Sequence, residues 1–316
     1  MTRVRAGAVL GAVPPAVLVL TGAVAVQVGA GLAARLFSQV PPAAVTGLRL
    51  WTAAALLTVA GARGLSRALT DVLHRRAWRD VGVAVAFGLT LAVMNFSIYQ
   101  AFARIPLGIA VTVEFLGPLT VAVAASRRAL DVAWVVLAGL GVALLAHGAP
   151  PEAAAHPAPG LNSAGLSSAS LNHASLNLAG LLFALTAAAA WAVYIMLSAA
   201  TGRRFPGSSG LTIAMVIAAL AVTPAGVAAG GRALLRPGVL GTGLAIGLLS
   251  SIIPYSLELE ALRRIPPKVF GIWMSLDPAV AALVGLVLLG QSPAARDWAA
   301  ICCVTAASAG AAWTAR

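Results

Sequence analysis

The chain has 316 residues, of which 60% are hydrophobic and only 9% are charged, and its formal net charge is +12. A mean hydropathy of +0.94 exceeds what a water-soluble core requires. The composition therefore excludes a soluble globular protein and predicts an all-α integral membrane protein. The basic residues are scattered without a dense basic stripe, which argues against nucleic-acid binding.

Apolar runs between charged and turn residues predict ten transmembrane helices, because a bilayer core about 30 Å thick needs roughly 20 apolar residues per helix. In chain order, the predicted spans are 14–34, 43–62, 81–99, 107–125, 130–147, 177–199, 209–229, 238–259, 268–289 and 295–313. The first run follows Arg3 and Arg5, as in a signal peptide. It stays apolar for longer than the h-region of such a peptide, about 7–15 residues, and is therefore interpreted as a span.

The distribution of Lys and Arg predicts the orientation, because short cytoplasmic loops retain positive charge. An N-terminus in the cytoplasm places fifteen of the 21 basic residues on the cytoplasmic side. These are Arg3, Arg5, Arg63, Arg67, Arg75, Arg76, Arg79, Arg127, Arg128, Arg203, Arg204, Arg263, Arg264, Lys268 and Arg316. We therefore expect both termini in the cytoplasm and an even number of spans.

A short sequence block recurs in the two halves of the chain. The tripeptide Arg-Ile-Pro at 104–106 is followed by Pro118, and the same tripeptide at 264–266 is followed by Pro278, an offset of 160 residues. Both copies lie between the third and fourth span of their half, and five spans per half predict repeats of inverted topology. The predicted parts are a cytoplasmic N-terminus (1–13), a first five-helix repeat (14–147), an external low-complexity linker without Lys or Arg (148–176) and a second five-helix repeat (177–313).

Ionisable residues within the spans are candidate functional residues, because each costs at least about 2.5–3.5 kcal/mol at the bilayer centre. Arg49 and Glu114 are both predicted about 10 Å from the outer surface, and Asp277 about 14 Å from the inner one, at 1.5 Å per helical residue. Arg49 and Glu114 either form a structural ion pair or take a direct part in binding a solute or ion. Glu258 and Glu260 lie nearer the inner end of the eighth span and are expected to reach water at the headgroups.

Two prolines are expected to break helices beside these charges. Proline has no N–H, so Pro118 leaves the carbonyl of Glu114 unpaired, and Pro278 does the same for Met274. Freed carbonyls beside an acidic side chain can bind a cation or an ammonium group. The alternative is a plain proline kink that shapes helix packing.

This combination predicts a site for a small zwitterionic solute. Glu114 and the freed carbonyls suit an ammonium group, and the guanidinium of Arg49 matches a carboxylate bidentately. Because the bilayer disfavours a charged carboxylate, a buried acid also suits coupling to protons. Asn95 and Tyr99 in the third span are further candidates for lining the cavity, with ordinary packing an equal explanation for the tyrosine.

Other chemistries lack a signal in the sequence. The four histidines are scattered, and Cys302 and Cys303 are adjacent, a spacing poorly suited to a disulfide, so neither a metal site nor a cofactor is predicted. An intramembrane enzyme is the alternative of a different class, and it would need a nucleophile with a base or a metal cluster. The sequence contains no GxSxG or HExxH motif. The oligomeric state is left open.

Three sequence blocks resemble the threonine/homoserine exporter (RhtA-like) branch of the EamA-type drug/metabolite transporters. They are PLGIA at 106–110 running to EFLGPL at 114–119, PYSLE at 254–258, and FGIWMSLDPA at 270–279, which contains Met274, Ser275 and Asp277. Pro254, which opens the second block, is a further candidate for breaking a helix at the site, and Met274 and Ser275 are further candidates for binding the solute or the proton. In such proteins the second span tends to carry an arginine, as Arg49 does here.

The resemblance implies a ten-helix carrier of the inner membrane, built from two inverted EamA repeats, that exports small amino acids such as threonine and homoserine by proton-coupled alternating access. Asp277 stands where the family pattern leads us to expect Glu, and the segment 148–176 is longer than usual. These departures leave open the export of another small metabolite or a drug. The implied partners are a small zwitterionic solute, the proton and the lipid bilayer.

Overall fold

The computed structural model describes residues 13–75, 78–124, 129–146, 177–205 and 208–314. Within these ranges every regular element is a helix, so the predicted all-α class is confirmed. The predicted linker (148–176) and the N-terminus up to residue 12 lie outside them. The α-helices are α1 (Pro15–Leu36), α2 (Pro42–Arg75), α3 (Trp78–Phe102), α4 (Leu107–Glu114), α5 (Leu116–Ala124), α6 (Ala129–Ala146), α7 (Leu178–Gly202), α8 (Ser209–Gly230), α9 (Pro237–Gly247), α10 (Ile253–Leu262), α11 (Pro267–Met274), α12 (Asp277–Leu289) and α13 (Ala295–Thr314).

The helices lie where the apolar runs predict them. Among the described residues, eight helical segments are long and apolar enough to cross a membrane, so the chain is a multi-pass membrane protein. The fifth and tenth predicted spans coincide with α6 and α13, outside those eight. α2 continues to Arg75, past its predicted end at 62, because no proline interrupts the polar segment that follows.

Three of the predicted spans are interrupted helices. The fourth span breaks at Phe115, between α4 and α5, and the ninth breaks at 275–276, between α11 and α12. In each case a proline follows within a few residues and cannot donate the helical hydrogen bond to the fourth residue before it. The eighth span contains a π-helical turn, Leu248–Ile252, between α9 and α10. That turn ends two residues before Pro254.

The turns that precede the two broken spans have the same backbone geometry. The amide of Ile105 donates to the carbonyl of Ala101 over 2.9 Å, and the amide of Ile265 donates to that of Ala261 over 3.0 Å. Each turn ends in a proline with nearly the same ψ angle, 143° before α4 and 145° before α11. α4 and α11 then each run for 8 residues.

Helices of the first half pack mainly on helices of the second half. α3 packs on α7 and α8, α2 on α8 and α9, α1 on α10 and α12, α5 on α7, and α6 on α13. Small residues permit this closeness. A Cβ atom added to Gly108 would lie 2.7 Å from the backbone of Ala282, and one added to Gly117 would lie 2.3 Å from the carbonyl oxygen of Ala188. The interior therefore lies between the halves, where α1, α2, α3, α4, α10 and α12 meet.

Candidate functional site

Arg49 reaches from α2 to the π-helical turn of the eighth span. Its Nη2 atom donates a hydrogen bond to the carbonyl oxygen of Ser250, 3.1 Å away. In an α-helical register the donor to that carbonyl would be the amide of residue 254, and Pro254 has no N–H. The Nε atom of Arg49 is buried and has no hydrogen-bond partner. Arg49 therefore has one donor occupied by the backbone and another one unused inside the protein.

Tyr99 and Asn95 lie one helical turn apart on α3, and both are buried. The guanidinium of Arg49 lies over the ring of Tyr99, 5.4 Å from its centroid, an arrangement that stabilises the cation. The hydroxyl group of Tyr99 has no hydrogen-bond partner. Asn95 instead donates from Nδ2 to the carbonyl of Leu91 in its own helix over 2.9 Å. Tyr99 therefore contacts Arg49 through its ring and also has an unused hydroxyl group.

Glu114 is the last residue of α4 and is half-buried at the first helix break. Its carboxyl group interacts electrostatically with Arg49 and with Asp277. The four ion pairs found among the described residues include neither Arg49 nor Glu114. The two residues thus share one electrostatic environment without the direct ion pair that the structural interpretation required.

Asp277 is the first residue of α12 and is buried at the second helix break. The side chain of Gln27, from α1, contacts its carboxyl group. Gln27 Oε1 and Asp277 Oδ1 are both buried and lack a hydrogen-bond partner. The helix break therefore presents two unused acceptor atoms on neighbouring side chains.

The two residues before Asp277 have other contacts. Ser275 is buried, and its hydroxyl group donates to the carbonyl of Ile272 over 2.6 Å, so the hydroxyl closes the end of α11. Met274 packs in an apolar cluster with Leu18 and Val19 of α1. Both residues shape the break, and the described side-chain contacts do not bring them to Arg49.

Glu258 lies inside the bundle, which corrects the expectation that it reaches water at the headgroups. A Cβ atom on Gly22 of α1 would lie 3.6 Å from its Oε1 atom. Glu258 interacts electrostatically with Asp277 and with the hydroxyl groups of Tyr194 and Tyr255. Sequence reasoning missed this residue as a member of the site. Glu260, in contrast, pairs with Arg263 and Arg264 at the end of α10, as expected for a residue near the membrane surface.

The interior cluster combines three acids, Glu114, Glu258 and Asp277, with Arg49. Its unpartnered groups are of two kinds. Donors lie on Arg49 and Tyr99, and acceptors lie on Gln27 and Asp277. Among the described residues, no group of three or more His, Cys, Asp or Glu side chains is placed to hold a metal ion. The arrangement instead suits an organic ion that carries both charges.

A separate apolar cavity of about 460 Å³ lies between the second helix break and α13. Trp273, Leu276, Trp298 and Cys302 are among its lining residues, whereas Arg49, Glu114 and Asp277 do not line it. Ser275, at the second helix break, is also among its lining residues.

Curated relatives cover nearly the whole chain. The threonine/homoserine exporter RhtA of Escherichia coli (strain K12) is 35% identical over 303 residues, which are 96% of this chain and 92% of that protein. The RhtA of Salmonella typhimurium (strain LT2) matches with the same identity and coverage. Residues 178–313 match the EamA-like transporter family. The chain belongs to this family, in the branch of the RhtA exporters.

Two further similarities agree with this membership in the EamA-like family. The uncharacterized transporter YwfM of Bacillus subtilis (strain 168) is 29% identical over 122 residues, 39% of this chain and 41% of that protein. A solved structure titled "Crystal structure of protein" aligns over 95% of this chain and 97% of its own, with a TM-score of 0.59 and 22% identity. At that identity the structure supports the fold alone. The chain is thus a membrane transporter and not an enzyme.

Proposed function

We propose that this protein exports threonine and homoserine across the inner membrane by proton-coupled alternating access. The name of its RhtA relatives supports the substrates, and the site supports their chemistry. The observation that carries the proposal is the set of unpartnered donors and acceptors buried around Arg49 and Asp277. A neutral amino acid has one carboxylate and one ammonium group, which such a set complements.

The carboxylate of the solute binds at Arg49 in this proposal. The unused Nε–H of Arg49 and the free hydroxyl group of Tyr99 are both donors, and charge-assisted hydrogen bonds of this kind are the strong ones. Asp277 supplies negative charge for the ammonium end, and Glu114, which interacts with both Arg49 and Asp277, exchanges the proton. The backbone carbonyls freed by Pro118 and Pro278 add acceptors at the same breaks.

The charges in the interior support proton coupling. Glu114, Glu258 and Asp277 interact as a group, and Arg49 is the cation that acts on Glu114. Three carboxylates and one guanidinium leave an excess of negative charge, which is costly in the membrane unless protons or a bound cation neutralise it. A zwitterion brings no net charge and cannot neutralise this excess, so we expect the acids to bind protons, and exchange of those protons for the solute couples export to the proton gradient.

The transport cycle uses two inverted five-helix repeats with ten spans and both termini in the cytoplasm. Helix contacts support this arrangement, because equivalent helices of the two halves make equivalent contacts. The contact of α1 with α10 corresponds to that of α7 with α3, and the contact of α1 with α12 corresponds to that of α7 with α5. The matching turns before α4 and α11 support the same repeat. Rocking of one repeat against the other would expose the site to either side.

Efflux from energised proteoliposomes tests the proposal. The protein is reconstituted, loaded with radiolabelled threonine or homoserine and given a pH gradient, beside Arg49→Gln, Glu114→Gln and the control Arg232→Gln. Arg232 is exposed in the turn after α8, so its removal leaves the site intact. We expect saturable efflux from the unmodified protein and the control, and a loss of at least about 100-fold in the two site variants.

The outcomes separate the alternatives. Flux of neither amino acid from folded protein would refute the substrate assignment and direct the search to other small metabolites or drugs. Flux that the site variants retain would refute the roles of Arg49 and Glu114. Flux that does not depend on the pH gradient would refute proton coupling and leave the substrate assignment unaffected.

A further inference from the structure

Gln27 is an isolated amide in the middle of an apolar helix. It lies twelve residues after the start of α1 at Pro15, about 18 Å along the axis at 1.5 Å per residue, and hence near the middle of a 30 Å bilayer core. Its side chain is 3% exposed, and its Oε1 atom accepts no hydrogen bond. A buried acceptor without a donor is rare in native proteins and calls for an explanation.

The partner of Gln27 lies in the second half of the chain. Its side chain contacts the carboxyl group of Asp277 at the start of α12, and Asp277 Oδ1 is also buried and unpartnered. Packing fixes this contact, because Gly31, one turn after Gln27, lies against Val284 and Leu288 of α12. The two side chains, each with an unused acceptor, are therefore held together by a close helix crossing and not by a flexible loop.

The surroundings specify a positively charged donor. Asp277 interacts with the carboxyl groups of Glu114 and Glu258, so the region around the acceptor pair carries excess negative charge. A hydroxyl group could satisfy only one of the two acceptors, whereas a primary ammonium group has three N–H donors and a positive charge.

We propose that Gln27 and Asp277 together bind the ammonium group of the transported solute. This inference rests on the proposed function and assigns the two ends of the zwitterion, with the carboxylate on Arg49 and Tyr99 and the ammonium group between α1 and α12. Because α1 packs on both α10 and α12, the ammonium group also links α1 to the second helix break.

Competition in proteoliposomes tests the assignment. Gln27→Met keeps the length of the side chain and removes the acceptor, and Gln27→Leu replaces it if the Met variant does not fold. Gln39→Leu, in the exposed turn after α1, is the control. The competitors are unlabelled threonine and 2,3-dihydroxybutanoate, which has a hydroxyl group in place of the ammonium group.

We expect threonine to compete at least about 10- to 100-fold less well in Gln27→Met, as for the loss of a charge-assisted hydrogen bond. The concentration of 2,3-dihydroxybutanoate needed to compete should change by less than about twofold. The variant would thus lose most of its preference for the competitor that carries an ammonium group. An equal loss for both competitors would mean that Gln27 only supports the structure and would overturn the assignment. Unchanged competition by threonine would overturn it as well.

A second measurement does not depend on transport. Propylammonium carries the ammonium group alone, and it should raise the melting temperature of the purified unmodified protein and of Gln39→Leu but not of Gln27→Met. Equal stabilisation of all three proteins, or of none, contradicts the site. If the unmodified protein moves neither amino acid, the proposed function fails, and this measurement still decides the fate of the ammonium site.

Discussion

The two helix breaks have the same backbone and different chemistry. In each, a turn with matching hydrogen bonds leads into an 8-residue helix that ends beside a proline-containing helix. The repeat offset of 160 aligns Gly117 with Asp277. Gly117 packs on the carbonyl of Ala188 in α7, whereas Asp277 contacts Gln27 in α1. One break is closed by helix packing, and the other keeps two polar side chains with unused acceptors.

The acids also lie on opposite sides of the breaks. Glu114 is the last residue of α4, where the helix dipole opposes a negative charge, and Asp277 is the first residue of α12, where the dipole supports one. The two breaks share a backbone geometry that suits similar hinges, and the different residues at a few positions suit separate tasks. We expect Glu114 to exchange the proton and Asp277 to hold the solute.

The largest expected effect comes from neutralising the two acids in turn. Glu114→Gln should lose about 100-fold or more of the efflux driven by a pH gradient, yet retain exchange of labelled for unlabelled threonine, because only the proton step is removed. Asp277→Asn should lose both activities, because the solute is no longer held. Parallel measurements of gradient-driven efflux and of counterflow distinguish these outcomes. Identical behaviour of the two variants would contradict the division of tasks.

Closer packing at the first break predicts a stability effect at Gly117. A methyl group there would collide with the carbonyl of Ala188, so Gly117→Ala should lower the free energy of unfolding by about 1–3 kcal/mol. Gly139→Ala in α6 is the control, because nothing lies within 4 Å of its added Cβ atom. Thermal unfolding in detergent measures both. Equal melting temperatures for the two variants would refute tight packing at this break.

Restoring the missing N–H groups tests whether both breaks act as hinges. Pro118→Ala and Pro278→Ala should each reduce efflux about tenfold, since a new helical hydrogen bond occupies a carbonyl of the site and straightens the helix. Neither should lower the melting temperature. Pro224→Ala, within α8 and outside the site, should leave efflux unchanged. A loss confined to one break would mean that only that repeat hinges.

The smallest effect is expected at Gln100 and Glu260, which occupy matching positions in the two turns and differ in charge. Arg104 donates to the side-chain oxygen of Gln100 over 2.7 Å, and Arg264 donates to Glu260 at the corresponding position. Glu260→Gln makes the second turn like the first, and efflux should stay within about twofold because a partly exposed ion pair contributes little. Initial efflux rates suffice to check this. A larger loss would assign Glu260 a role in transport.

The sequence predicts local features of this fold well. Apolar runs locate the helices, and Pro118 and Pro278 locate the breaks, because length, hydropathy and a missing N–H act within one segment. Contacts between segments that are distant in the sequence are not predicted in this way. Gln27 is visible in the sequence as an amide within an apolar span, but its partner Asp277 lies 250 residues later, so only the packing of α1 on α12 brings them together.

The prediction that Glu258 reaches water at the headgroups was wrong for a related reason. The π-helical turn at Leu248–Ile252 inserts an extra residue, which rotates the following helix by about 100° relative to a regular α-helix. Depth along the helix is readable from the sequence, whereas this rotation is not. It is the rotation that decides whether Glu258 faces Gly22 and Asp277 or the membrane surface.

Packing between the halves has a consequence for synthesis of the protein. Ribosomes deliver the helices of the first half, α1–α6, to the membrane before the helices on which they pack exist. α3 can pack only after α7 has been synthesised, α2 only after α8, α1 only after α10 and α12, and α6 only after α13. During that interval Gln27, Arg49 and Glu114 have none of their second-half partners. The nascent first half therefore holds these polar groups in the membrane without the contacts that bury them in the finished protein.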